Sequence, residues 1–126
     1  MRAPALLAIV ASCGICGVRG DAQTTTRRVI HVSAERFAFT PSEIVVSAGE
    51  PVELRIASDD TAHGFRIAGT SINVVIPKRG RPELVVPLQV DTAGRYPFEC
   101  TRMCGAGHNF MRGVLIVRDP SARVTP

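Results

Sequence analysis

The stretch Ile44-Val45-Val46-Ser47-Ala48-Gly49-Glu50-Pro51-Val52-Glu53-Leu54-Arg55-Ile56 decides the fold class. Val52, Leu54 and Ile56 alternate with the charged Glu53 and Arg55, so a strand here buries one face and wets the other. The Ala48-Gly49-Glu50-Pro51 segment leads into it from a second apolar run, Ile44 to Ser47. Working outward, short strands are predicted at Val29 to Val32 and Phe37 to Phe39, and at Ile72 to Ile76, Glu83 to Val90, Arg95 to Glu99 and Gly113 to Arg118, the last four each bounded by Gly, Pro, Asp or Asn. Pro87 cannot donate to a ladder, so its strand is placed at an edge or a bulge. No segment has helical periodicity. Seven or eight short strands at this spacing make an all-β antiparallel sandwich or barrel the expected architecture.

Composition agrees with one such domain. A chain of 126 residues has room for a single core. Hydrophobic residues at 45% and charged residues at 21% exclude disordered, collagen-like and coiled-coil classes. The net charge of +4 comes from scattered Lys and Arg rather than a stripe, which argues against nucleic acid as a partner.

Residues 1–22 read as a signal peptide: Arg2 is the charged start, Ala3 to Val18 the apolar stretch, and Gly20-Asp21-Ala22 the small-x-small cleavage site. The apolar stretch is shorter than the ~20 residues a spanning helix needs. Val10-Ala11-Ser12-Cys13 also resembles a lipobox, so a lipoprotein or short anchor signal is the alternative. Cys13-Gly14-Ile15-Cys16 has redox-motif spacing but lacks a βαβ context, and it carries no weight. Removing residues 1–22 takes away Arg2, Arg19 and Asp21 and brings the net charge from +4 to +3.

The chemistry concentrates in Cys100-Thr101-Arg102-Met103-Cys104-Gly105-Ala106-Gly107-His108-Asn109-Phe110-Met111. Thiolate, thioether and imidazole donors select copper or zinc over calcium, magnesium or manganese. Gly105 and Gly107 allow the tight turns by which donors close in sequence converge. His63, in Asp60-Thr61-Ala62-His63-Gly64-Phe65, is placed at a strand end from which a loop can carry it to the same point. A blue-copper site would use His63, His108, Met111 and one Cys, leaving one thiolate over. Zinc would take two Cys and two His but has no use for Met111. Two thiolates suit bridges between two copper ions, each with one imidazole and one weak axial donor. A disulfide between Cys100 and Cys104 is the default for an exported chain, against which the spacing of His108 and Met111 argues for metal.

The pattern Cys-x-x-x-Cys-Gly-x-x-His-x-x-Met, preceded by Asp-x-x-His-x-Phe, resembles the dinuclear copper (CuA) domain of cytochrome c oxidase subunit II, also found in nitrous oxide reductase. Phe39-x-Pro41, Gly94-x-Tyr96 and Gly113-Val114-Leu115 extend the resemblance from about Phe37 to Val117. It implies a cupredoxin-like Greek-key β-sandwich over residues 29–119, after a signal at 1–22 and a linker at 23–28, with a tail at 120–126. It implies Cys100 and Cys104 as bridging thiolates, His63 and His108 as terminal imidazoles, and Met111 and the main-chain carbonyl of Arg102 as axial donors. The implied function is electron transfer through two copper ions at the periplasmic or outer face of the cytoplasmic membrane. The implied partner is a cytochrome or an oxidase catalytic subunit, and no catalysis is expected of this chain on its own. An N-terminal anchor or lipid would add membrane association. The oxidase subunits usually have Glu, part of a magnesium site against the catalytic subunit, where this chain has Arg102. A periplasmic copper carrier or chaperone, or a mononuclear cupredoxin, stands as the alternative.

Other residues receive plainer roles. Met103 is expected to pack in the core or at the rim, and Phe98 in the core. His31 is not expected to ligate. Lys78-Arg79-Gly80-Arg81 reads as a solvated turn, with docking to an acidic partner as its functional alternative.

Overall fold

The computed structural model describes residues 26–122. The segments read as signal peptide, with Cys13 and Cys16, and the last residues of the tail lie outside them. Nine strands follow in order: β1 Arg28–Glu35, β2 Ala38–Thr40, β3 Glu43–Ser47, β4 Val52–Ser58, β5 His63–Ile67, β6 Asn73–Ile76, β7 Leu84–Leu88, β8 Gly94–Glu99 and β9 Arg112–Arg118. Among the described residues a single 3-10 turn, His108–Phe110, precedes β9. The strands form two sheets, ordered β2-β1-β4-β7 and β3-β9-β8-β5-β6. No helix among the described residues is long and apolar enough to cross a membrane.

The alternation read in β4 is the alternation observed. Val52, Leu54, Ile56 and Ser58 are buried, while Glu53, Arg55 and Ala57 between them are not. The facing sheet answers with Ile44 and Val46 of β3 and Leu115 and Val117 of β9. Apolar side chains from the two inner faces thus close a sandwich core. At its centre Phe39, Phe65 and Phe98 pack with ring centroids 5.3 to 5.5 Å apart, two of the three pairs edge to face. Phe98 is fully buried, as expected. Pro87 sits in β7, an edge strand, opposite Glu53 of β4.

Two features differ from the strand reading. β1 pairs with β4 in parallel, and β3 with β9 likewise, where antiparallel pairing was expected. The chain leaves one sheet for the other between these partners, and a strand that returns after such a crossover can run in the same direction as its neighbour. Alternation reports which face is buried and says nothing of which neighbour a strand finds. Secondly, a strand with no counterpart in that reading, β5, begins at His63 and lies between β6 and β8 in the interior of its sheet.

Replacing Phe98 with Ala removes the ring that touches both other phenylalanines. The loss expected is about 3–5 kcal/mol of unfolding free energy, read by denaturant titration of the reduced, metal-free protein.

Candidate metal centre

Three pieces of chain build the site. The first is the loop from Cys100 to Met111, which connects β8 to β9 and is closed at its ends by the Cys100 N–H donating to the Met111 carbonyl at 3.0 Å. Within it, the N–H groups of His108, Phe110 and Met111 donate to the carbonyls of Gly105, Gly107 and His108. Gly105 takes φ of +147°, a conformation that a side chain resists, in keeping with the tight turn expected there. The second piece is the start of β5, and the third is the Ser58 to Thr61 turn before it.

β5 passes so close to the loop that only glycine fits at position 64. A Cβ there would stand 2.7 Å from the Thr101 nitrogen and 2.8 Å from that of Arg102. The bare Gly64 N–H instead donates to the Cys100 sulfur at 3.4 Å. This contact carries the neighbouring His63 to the loop.

The donors then form a continuous series. His63 Nδ1 lies 3.9 Å from Cys100 Sγ, and the two sulfurs are 3.9 Å apart. Cys104 Sγ lies 3.8 Å from His108 Nδ1 and 3.9 Å from Met111 Sδ. The Arg102 carbonyl oxygen is 3.1 Å from Cys100 Sγ, so it joins the Cys100 side while its own side chain is exposed. Cys100 and Cys104 are free thiols rather than a disulfide. His63, Cys100, Cys104 and Met111 are buried, whereas His108 is half-buried.

A metal fits this set. Bonds of about 2.3 Å to sulfur and about 2.0 Å to imidazole let one ion touch two such donors up to ~4.3–4.6 Å apart. Each sulfur–sulfur and sulfur–imidazole spacing in the series falls below that limit. His63, Cys100 and Cys104 also form a mutual group with ligand atoms within 4.8 Å of one another, whereas His108 stands outside that group, 3.8 Å from Cys104 Sγ.

Electrostatics favour the same reading. Burial first, then the neighbouring Cys100, with a smaller push from Asp60, raise the Cys104 thiol to about 11 against the opposing charge of Arg36. A thiolate here needs a cation to compensate it. Asp60 performs a different task. Its partial burial raises its pKa, but hydrogen bonds from His63 Nε2 and from the N–H groups of Arg36 and Thr61 prevail and hold it at about 2. As an ionised acceptor 2.7 Å from Nε2, Asp60 keeps the proton on that nitrogen. The lone pair of Nδ1 is thereby left facing Cys100.

Asp60 and Arg36 are the functional neighbours that the spacing argument passed over. Asp60 stands three residues before His63 in the quoted segment, so its part was open to inference. Arg36 Nε donates to the Cys104 carbonyl at 2.6 Å across 68 positions of sequence, and no local signal announces it. Met103, 75% exposed, is on the rim and not in the core. His31 lies away from the cluster, 4.0 Å from Glu83. Lys78, Arg79 and Arg81 are exposed, and the Arg79 N–H donates to the Asp60 carbonyl, which puts that turn beside the site.

The model of a cupredoxin-like domain matches residues 5–117. Cytochrome c oxidase subunit 2 of Thermus thermophilus is 33% identical over 97 residues, covering 71% of this chain and 65% of that protein. The chain spans about two thirds of that curated relative and about half of a second one from the same species. In fold, it is similar to the periplasmic domain of subunit II of cytochrome oxidase of Bradyrhizobium japonicum, with a TM-score of 0.66, 14% identity, and 74% and 85% of the two chains covered. It is also similar to auracyanin A, a blue copper protein of Chloroflexus aurantiacus, with a TM-score of 0.60, 18% identity, and 74% and 100% covered. With two packed sheets, a soft-donor loop between its last two strands and a family match over most of its length, this chain belongs to the cupredoxin-like domain family and is similar within it to subunit II of cytochrome c oxidase.

Proposed function

We propose that the chain is a copper-binding electron-transfer domain with a dinuclear centre of the CuA type. The observation that carries this reading is the unbroken donor series from His63 through Cys100 and Cys104 to His108 and Met111. Cys100 and Cys104 are assigned as shared thiolates, His63 and the Arg102 carbonyl as donors on the Cys100 side, and His108 and Met111 as donors on the Cys104 side. Copper held there would supply a one-electron couple, with the Arg102 carbonyl and the Met111 thioether as the weaker donors beside the thiolates and imidazoles.

The protein's own part is to hold these donors still and dry. His63 is fixed by a sheet ladder and by Asp60, while Cys100 and Met111 are tied to each other through the backbone. Burial of His63, both sulfurs and Met111 replaces mobile water by fixed dipoles, which limits rearrangement as charge comes and goes. His108 is the one side-chain donor that is not buried. It lines a cavity of about 320 Å3 with Arg66, Asn73, Asn109 and Arg112, and the adjacent Phe110 is 83% exposed. A redox partner is therefore assigned to this end of the sandwich.

That partner is a cytochrome or an oxidase catalytic subunit, by similarity to the cytochrome c oxidase subunits. Residues 1–22 are assigned as the signal that exports the domain to the periplasmic or outer face of the membrane, with lipidation at Cys13 as the alternative. A mononuclear cupredoxin is the second reading, favoured by the mutual proximity of His63, Cys100 and Cys104 without His108.

Substitution separates the two. In protein reduced before loading, Cys100→Ser and Cys104→Ser are each expected to abolish the absorption bands of the shared centre and leave at most one copper per chain, whereas Arg102→Ala keeps nearly full copper. A cysteine variant that leaves spectrum and copper content unchanged would favour the mononuclear site. Asp60→Asn is expected to weaken copper binding about 10–100-fold, measured by competition with a chelator, because it loosens the tautomer of His63. The pH dependence has a definite sign. The metal-free Cys104 thiol holds its proton below about pH 11 and copper displaces it, so affinity rises with pH between 6 and 8, by about tenfold per unit for each proton released.

A further inference from the structure

The turn between β1 and β2 contributes no donor, yet it touches both halves of the site. The Arg36 N–H donates to Asp60 Oδ2 at 2.9 Å, and the other oxygen of that carboxylate holds His63. From the same residue, Nε donates to the Cys104 carbonyl at 2.6 Å. Phe37, next in sequence, lies over the loop where a larger residue than glycine would not fit. A Cβ on Gly105 would come within 2.9 Å of its ring, and one on Gly107 would overlap the ring. Gly107 has φ of −92°, so what position 107 requires is the close approach of Phe37, not an unusual backbone angle.

We propose that Arg36 is a positioning residue that ties the Cys104 side of the centre to the His63 side, and that its charge stabilises the reduced form. This rests on the copper-centre reading given above. The geometry supplies the reason. Cys104 sits in a loop that could shift relative to β5, and Arg36 spans the gap with one directional bond at each end, the loop side from its side chain and the Asp60 side from its backbone. A guanidinium cannot lose its charge at physiological pH, and no carboxylate among the described residues forms a salt bridge with it. A fixed cation beside a thiolate ligand opposes removal of an electron. The Phe37 ring seats the turn against Gly105 and Gly107, so the clamp has an apolar footing besides its polar one.

The test compares copper-loaded wild type with Arg36→Gln and Arg36→Lys. Two quantities are read: the reduction potential by redox titration, and the rate of copper release to an excess of a copper(I) chelator. Arg36→Gln is expected to move the potential to lower values and to speed release at least about tenfold. Arg36→Lys is expected to restore the potential, since the charge returns, while release stays fast, since the guanidinium bond to Cys104 does not. A merely structural role would speed release in both without that split in potential, and such a result overturns the charge part of the proposal. Wild-type potential and release in both variants overturn it entirely. Gly107→Ala displaces Phe37 while keeping Arg36, and provides a second route if position 36 variants fail to fold; it must also speed release, and unchanged release there contradicts the clamp. The readouts hold for whatever number of copper ions the wild type takes up. Failure of the dinuclear reading, seen in the wild-type copper count, is thus separate from failure of the clamp.

Discussion

Two sulfurs, Cys100 and Cys104, lie 3.9 Å apart and shut away from water, and burial makes the ionised form of Cys104 costly there without a cation. Much of the surrounding structure can be understood as an answer to that constraint. The Gly64 N–H points at one sulfur, Arg36 holds the carbonyl of the other, and the imidazoles of His63 and His108 stand at the two ends of the pair. None of these groups brings a negative charge toward the thiolates. The nearby carboxylate, Asp60, faces the far nitrogen of His63, where it orients the ring, while its charge also disfavours the Cys104 thiolate.

The sandwich makes this arrangement affordable in conformational terms because its strands deliver the donors already ordered. His63 is the first residue of an interior strand, Cys100 immediately follows β8, and Met111 immediately precedes β9. Arg102, Cys104 and His108 belong to the loop itself, His108 on its 3-10 turn, and among the side-chain donors His108 alone is not buried. A site of this kind divides labour by depth: the buried donors keep the metal environment constant, and the exposed edge is where another protein can approach. Met103 and Phe110, apolar yet exposed on the same loop, give that edge a surface suited to transient contact.

How much of this was legible beforehand depended on the range of the interaction. The donor loop is local, so twelve consecutive residues carried both its composition and its spacing. The alternation of Val52, Leu54 and Ile56 is local too, and the burial of β4 follows it residue by residue. The parallel pairing of β1 with β4 was hidden because period-two patterning is blind to the choice of neighbour. β5 was hidden because His63-Gly64-Phe65-Arg66-Ile67 has few apolar residues and a glycine, and that glycine is there for the passage of the loop. Arg36 was out of reach altogether, since its partner lies 68 positions away.

The central claim is that Cys100 and Cys104 are shared by two copper ions. It is tested most directly by copper analysis of the reduced and reloaded wild-type protein, joined to the electron-spin resonance of its oxidised form. Two copper ions per chain are expected, with the hyperfine pattern of one electron spread over two equivalent copper nuclei. One copper per chain with the pattern of a single nucleus would contradict it.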